Sequence, residues 1–185
     1  MDRLEAGTLL TPTSSHVPVS FSIWNDKSAY SRFMKNEHDQ LVGKNQQAST
    51  YNKISVELFE SLLPIEGRFG SLSSSYSRGN FLRIADCLVK KERVDHFVEV
   101  QKAIWIPAMT GHEGMLGGSF NQSLGDSNRF LVASFWKDEL SHAKYTREVL
   151  PGLRESSRVI EDTISVSGRL IRLEKNWLSF DQKNE

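Results

Sequence analysis

The residues best suited to chemistry are an aspartate, a histidine and a tyrosine in the second half of the chain. Asp86 interrupts the otherwise apolar stretch Phe81–Val89. A carboxylate inside such a stretch must be exposed, paired or shifted in pKa. Asp86 is therefore a candidate general base or substrate anchor. The structural alternative is an aspartate at the rim of a sheet or paired with an arginine.

His142 and Tyr145 lie one helical turn apart on the same face of a predicted helix. A histidine transfers protons near neutral pH, so this pair could polarise a phenolic or quinone substrate. The alternative is a hydrogen-bonded pair in the core. Asp86, His142 and Tyr145 form the predicted catalytic set.

Two tryptophans and one asparagine are candidate substrate-binding residues. Trp105 and Trp136 could enclose an aromatic ligand, although large aromatic residues are also ordinary core elements. Asn121 could donate a hydrogen bond to a substrate carbonyl, although an asparagine in a hairpin often serves the turn.

Composition argues against several other functions. The chain of 185 residues has 23 basic and 23 acidic residues, so no charge imbalance favours nucleic acid or an anionic membrane. One cysteine, Cys87, excludes an internal disulfide, and the pair His38-Asp39 lacks persuasive further metal ligands. No apolar run reaches the roughly 18 residues of a membrane span. We expect a cytoplasmic protein that binds a small molecule and holds no metal or cofactor.

A complete βαββαβ unit is predicted over residues 80–178. Its apolar spacing predicts a helix from Val94 that ends at Pro107, where the backbone N–H is missing. Asp138 is a natural N-cap for the second helix. The predicted strands cover residues 81–89, 115–122, 129–136 and 163–173. This order predicts an α+β, ferredoxin-like fold with both helices on one face of a four-stranded antiparallel sheet.

Residues 1–65 are predicted to be a partial copy of this unit, with the order strand, helix, strand. Ser22–Asp26 resembles Ser134–Asp138, and Tyr51–Phe59 would supply the last strand. Residues 66–79 are rich in glycine and serine and predict a flexible linker; residues 179–185 form a tail.

The partial copy should leave a gap between its two strands, where the first strand of a complete unit would lie. Three explanations are open. The gap could be filled by residues 1–16, whose strand-like run is Gly7–Thr11, or by a second chain, or the residues that would fill it could be missing from a shortened chain. We favour the shortened chain. The protein is then expected to be a homodimer or an internal pseudo-dimer.

The stretches FLRIADC, GMLGGSFNQ and FLVASFWKDELSHAKY resemble the antibiotic biosynthesis monooxygenase-like superfamily, and residues 22–60 are similar to the first domain of its tandem bacterial proteins. The resemblance implies a dimeric α/β-barrel arrangement and cofactor-independent oxidation of aromatic or quinol-type substrates. A ligand-binding or assembly module of the same fold is the alternative. The chain departs from the haem-degrading branch, since Asp86 and Tyr145 stand near that branch's Asn and Trp positions.

Overall fold

The computed structural model describes residues 4–7, 21–40, 56–70, 75 and 78–173, with the backbone alone at residues 4–7. Seven antiparallel strands form one sheet with the spatial order β2-β1-β3-β5-β6-β4-β7. The strands are β1 (Leu4–Gly7), β2 (Ser22–Trp24), β3 (Phe59–Ile65), β4 (Phe81–Val89), β5 (Met115–Ser123), β6 (Arg129–Trp136) and β7 (Thr163–Arg172).

The named helices are α1 (Lys27–Asn36), α2 (Val94–Val100), α3 (Ile106–Thr110), α4 (Glu139–Glu148), α5 (Leu150–Ser157) and α6 (Val159–Asp162). A π-helical turn, Gln101–Trp105, joins α2 to α3. None of the helices in the described ranges is long and apolar enough to cross a membrane.

The second half of the chain has the predicted ferredoxin-like architecture. Its strands lie in the order β5-β6-β4-β7, so the first strand of the unit, β4, is flanked by the third and the fourth. Helices α2 to α6 pack on one face of these strands. The α+β, ferredoxin-like prediction is therefore confirmed.

The first helix of this unit does not end at Pro107 as predicted. The backbone N–H of Ile106 donates to the carbonyl of Gln101, five residues earlier, and the chain continues as α3 with Pro107 in its first turn. Proline is tolerated there because the first turn of a helix has no acceptor for its missing N–H. The π-helical turn therefore carries the helix past the proline.

The gap in the partial copy is filled by the N-terminal segment of the same chain. β1 pairs with β2 on one side and with β3 on the other, both antiparallel. The first of the three predicted explanations, and not the favoured one of a shortened chain, therefore accounts for the gap; the strand is Leu4–Gly7, and residues 8–11 of the predicted run lie outside the described residues. Residues 51–55 of the predicted last strand also lie outside the described residues, and β3 starts at Phe59.

β3 joins the two halves of the sheet by pairing with β5 along its whole length. The chain after β3 stays against β5: the N–H groups of Arg68 and Phe69 donate to the carbonyls of Met115 and Leu116. Gly67 approaches Leu116 so closely that a Cβ there would overlap its backbone. Residues 67–70 of the predicted linker are thus held by the sheet, and the division into two domains stays a prediction.

Both faces of the sheet carry core residues. On the helix-covered face, Phe120 and Phe130 stack at 5.3 Å between ring centroids and pack around Phe97 of α2. The other face has its own apolar cluster, which includes Leu82, Leu131 and Phe21 from the chain just before β2.

Candidate functional site

We infer a cleft between the helix layer and the middle of the sheet from side chains that stay partly exposed there. β4 and β6 are central strands, and side chains beneath a closed helix layer would be fully buried. Phe81, Arg83 and Ala85 of β4 and Val132 of β6 nevertheless retain partial solvent exposure on this face. The facing wall is apolar and aromatic, with Trp105, Ile106, Tyr145, Val149 and Leu153.

A cluster of four rings, which we call the ring cluster, closes one end of this cleft. Its members are His112, Trp136, His142 and Tyr145. The Trp136 ring lies 5.2 Å from those of both His142 and Tyr145, measured between centroids. The His112 ring lies 5.5 Å from Trp136 and 5.4 Å from Tyr145. Trp136 and Tyr145 are buried, whereas both histidines are partly exposed.

Local sequence signals hold the ring cluster in place. Asp138 caps α4 by accepting a 2.8 Å hydrogen bond from the backbone N–H of Ser141, which fixes the helical phase of His142 and Tyr145. Gly114 has a φ of 93° and packs directly against Ser141, where a Cβ would collide. This turn sets His112 beside the start of α4.

Two members of the ring cluster, His142 and Tyr145, are neutral at physiological pH. Burial, followed by the charge of Arg83 and then by His112, lowers the pKa of His142 to about 4. Burial raises the pKa of Tyr145 to about 12, against the opposing effect of Arg83. A neutral imidazole can accept a proton and a neutral phenol can donate a hydrogen bond. Neither ring makes a hydrogen bond with another described residue.

Arg83 is the main site residue missing from the sequence predictions. Within the described residues its one hydrogen bond is a long one, 3.5 Å from Nη1 to the carbonyl of Arg169. Burial lowers its pKa from the ordinary value. Its sequence signal is a charge inside an apolar strand, which Asp86 shares, so the pattern does not distinguish the two residues.

His112 was missed as well, and its position in a turn gives no sequence signal. Its Nδ1 is buried without a hydrogen-bond partner in the described part of the chain. The same is true of Nε1 of Trp105, which packs against the ring cluster from the π-helical turn. Trp105 thus lies beside the ring cluster, and its role in substrate binding stays a prediction.

Asp86 and Asn121 do not lie in the cleft. Asp86 is an odd number of residues from Phe81 on a regular strand, so its side chain is on the opposite face from the ring cluster. There Arg129 donates to both of its carboxylate oxygens, at 2.9 and 2.6 Å, and also contacts Glu57. The structure therefore shows the alternative of an arginine-paired aspartate, and Asp86 cannot act together with His142.

Asn121 faces the same side as Asp86. Its buried amide donates to the backbone carbonyls of Ser119, at 3.1 Å, and Leu131, at 2.8 Å. These bonds tie β5 to β6 and leave the amide nitrogen turned away from the cleft. Of the six predicted site residues, the structure brings together His142, Tyr145, Trp105 and Trp136.

No group of three or more His, Cys, Asp or Glu side chains in the described residues is arranged to hold a metal ion. The buried thiol of Cys87 is neutral, since burial raises its pKa to about 12.

Comparisons with known proteins agree with this fold. Residues 11–59 match the family model described as "Domain of unknown function (DUF4937)". A comparison with curated proteins finds no match.

Among solved structures, a "putative monooxygenase" of Fusobacterium nucleatum is similar, with a TM-score of 0.69 and 14% identity over 93% of this chain and 75% of that one. An "anthrone oxidase-like protein" has a TM-score of 0.60 and 12% identity over 94% and 76%. A third, the "putative monooxygenase" of Lactobacillus acidophilus, has a TM-score of 0.55 and 13% identity over 92% and 75%. At these identities the likeness shows the fold alone, and it agrees with the ferredoxin-like fold predicted from the sequence.

Proposed function

We propose that this protein is an oxygenase that oxidises an electron-rich, hydroxylated aromatic compound in the cleft without an added reductant. The observation that carries the proposal is His142. It is partly exposed, its pKa is lowered to about 4, and its ring lies 5.2 Å from that of Trp136 at the end of an aromatic cleft. The imidazole is neutral at pH 7 and can accept a proton from a bound hydroxyl or activated methylene; its lowered pKa makes it a weaker base than an ordinary histidine, so the proton that it takes must be an acidic one.

The chemistry then balances with oxygen as the single oxidant. His142 accepts a proton from the substrate, and the resulting carbanion or phenolate passes an electron to O₂. Recombination forms a C–O bond and a hydroperoxide, which loses water to give a ketone. For an anthrone-type methylene the sum is R₂CH₂ + O₂ → R₂C=O + H₂O.

The other cleft residues have positioning roles in this reaction. Tyr145, with a pKa raised to about 12, stays protonated and can donate a hydrogen bond to the developing oxyanion. Trp105 and Trp136 orient the aromatic ring and keep water away from the anion.

Oxygen uptake with anthrone and 1,5-dihydroxynaphthalene tests the proposal. We expect uptake with the wild-type protein, a loss of about 10²-fold or more in kcat for His142→Gln, and a smaller loss for Tyr145→Phe. Lys144→Gln, an exposed position on the same helix, is the matched control and should keep wild-type activity. Absence of uptake by the wild-type protein contradicts the oxygenase function, and unchanged uptake by His142→Gln contradicts the role of the base.

A second candidate is a ligand-binding or assembly module, and the edge strand β7 favours it. β3, the last strand of the first half, pairs with β5, whereas β7, the last strand of the second half, pairs within the described residues only with β4. Ile164 and Val166 on β7 are 63% and 53% exposed. An exposed strand edge with apolar side chains is a pairing surface, and we propose a second copy of this chain as its occupant.

Sedimentation velocity tests this second candidate. We expect the wild-type protein to be a dimer and the double variant Ile164→Lys, Val166→Lys to be a monomer. Leu140→Lys, at a position that is 82% exposed on α4, is the control and should leave the dimer intact. A wild-type monomer at micromolar concentration, or a dimer that survives the double substitution, contradicts pairing through β7.

A further inference from the structure

We propose that Arg83 forms an anion-binding subsite on the β7 side of the cleft, and that the aromatic ligand carries a carboxylate which this guanidinium binds. The inference rests on the proposed function only in placing an aromatic ligand in the cleft. It adds the class of ligand, an aromatic acid, and the residue that selects it.

The first observation is that Arg83 has no anionic partner among the described residues. No described carboxylate lies within 4 Å of it, and its one hydrogen bond is 3.5 Å long. A guanidinium has five N–H donors, and taking its charge out of water is unfavourable unless a partner replaces the water. Other arginines of the chain are paired: Arg129 with Asp86 and Glu57, and Arg93 with Asp162.

The second observation is that the sheet provides room for this guanidinium. Arg83 lies on central strand β4 and extends towards β7, where Leu170 is its direct neighbour in the ladder and Gly168, the partner of Ala85, is its diagonal neighbour on the same face. A Cβ at position 168 would overlap Nη2, Nη1 and Cζ of Arg83. The missing side chain at Gly168 therefore creates the space in which the guanidinium lies flat against β7.

The third observation is that no described residue near this position supplies negative charge. Burial keeps the Cys87 thiol and the Tyr145 hydroxyl protonated by raising the pKa of each to about 12. The nearby Arg154 adds a second positive charge, which contributes to lowering the pKa of Arg83. This end of the cleft is thus cationic, and its ligand should bring the anion.

The chemistry of the ligand follows from the two ends of the cleft. The ring cluster offers aromatic packing, and Arg83 offers the planar pair of donors that fits a carboxylate. Partly buried apolar side chains, Phe81 and Ala85, flank Arg83 on the same face of β4. Such surroundings suit a singly charged carboxylate on a flat ring better than a strongly hydrated dianion.

Binding measurements with two matched probes test the subsite. The probes are 1-hydroxy-2-naphthoate and 1-naphthol, which differ by the carboxylate, and binding is followed by calorimetry at pH 7. We expect the wild-type protein to bind the carboxylate probe at least about ten-fold more tightly, as a charge-assisted hydrogen bond contributes about 1.5–3 kcal/mol. Arg83→Gln should remove this preference.

Gly168→Ala provides a variant that keeps the charge and moves it. The overlapping atoms belong to the flexible end of Arg83, so the substitution should displace the guanidinium and leave β7 intact; we expect the preference to fall several-fold. Arg169→Gln removes an exposed charge from the opposite face of β7 and should leave the preference unchanged. Circular dichroism melts check that each variant is folded.

The outcomes separate this inference from the proposed function. Any of three results would overturn the anion subsite. The wild-type protein could bind the two probes equally, it could fail to bind 1-hydroxy-2-naphthoate up to millimolar concentration, or Arg83→Gln could keep the carboxylate preference unchanged. A carboxylate preference that depends on Arg83, in a protein without oxygen uptake, would support the subsite and remove the oxygenase function. Oxygen uptake without any carboxylate preference would support the oxygenase function and remove the anion subsite.

Discussion

Lowering the pH from 7 to 4.5 should destabilise this protein through His142. In the folded state its pKa lies at about 4, mainly because of burial and then because of Arg83, against 6.5 for an ordinary histidine. Between these two values the unfolded chain binds a proton that the folded chain does not bind. The free energy of unfolding therefore decreases as the pH falls through this window.

The size of this effect depends on how far water screens the ring. A shift of the pKa from 6.5 to about 4 would correspond to about 3 kcal/mol for a fully buried group. His142 is partly exposed, and solvent screening reduces the contribution. We expect a loss of about 1–2 kcal/mol between pH 7 and pH 4.5.

Urea denaturation at a series of pH values measures this loss. The slope of stability against pH between 5 and 6.5 should be smaller in His142→Gln, which has no group to titrate there. NMR titration of the histidine ring protons reports the pKa directly. Arg83→Gln should raise that pKa towards 6.5, whereas Arg147→Gln, an exposed residue paired with Glu148 on the same helix, should leave it unchanged. A His142 resonance that titrates near 6.5 in the wild-type protein would refute the reasoning, because neither burial nor Arg83 would then act on the ring.

Three further substitutions test other parts of the structure. Asp162 is fully buried and contacts Arg93 and His96, each at 2.7 Å. Asp162→Asn should therefore lower the free energy of unfolding, measured by urea denaturation, by about 2–3 kcal/mol. An unchanged free energy of unfolding would mean that these contacts do not stabilise the fold. Asp138→Ala removes the N-cap of α4 and should cost about 1 kcal/mol, or a few degrees in Tm; an equal Tm in a thermal melt would contradict the role of the cap. Asp86→Asn changes a side chain on the face of the sheet opposite the cleft. It should therefore leave the binding of 1-hydroxy-2-naphthoate unchanged in calorimetry. Weaker binding by a folded variant would show that the two faces of the sheet are assigned wrongly.

The parts of the fold that were predicted correctly depend on local signals. Both Asp26 and Asp138 cap the helices predicted for them, accepting hydrogen bonds of 2.7 and 2.8 Å from the backbone N–H three residues later. The capping interaction involves four consecutive residues, so the sequence contains all of its determinants. The strand order of the second half likewise followed from a sequence of clear strand and helix patterns.

The N-terminal strand could be predicted only in part, because it depends on distant pairing. The sheet order required a strand between β2 and β3, and one of the three suggested occupants was the N-terminal segment. The observed strand, Leu4–Gly7, has four residues and contains Glu5, so neither length nor alternation distinguishes it. Its register is set by β2 and β3, which are far away in the sequence.

The candidate site was predicted incompletely for a reason that lies in β4. A strand with one buried face shows its orientation by alternating apolar and polar residues. On β4 both faces carry buried residues, Leu82 on one and Cys87 and Val89 on the other. The alternation then has no polar side, so the sequence cannot tell which of the two charged residues, Arg83 or Asp86, points towards the helices. The helix layer decides this, and it places in the cleft the arginine that has no carboxylate partner among the described residues and on the opposite face the aspartate that is paired with Arg129.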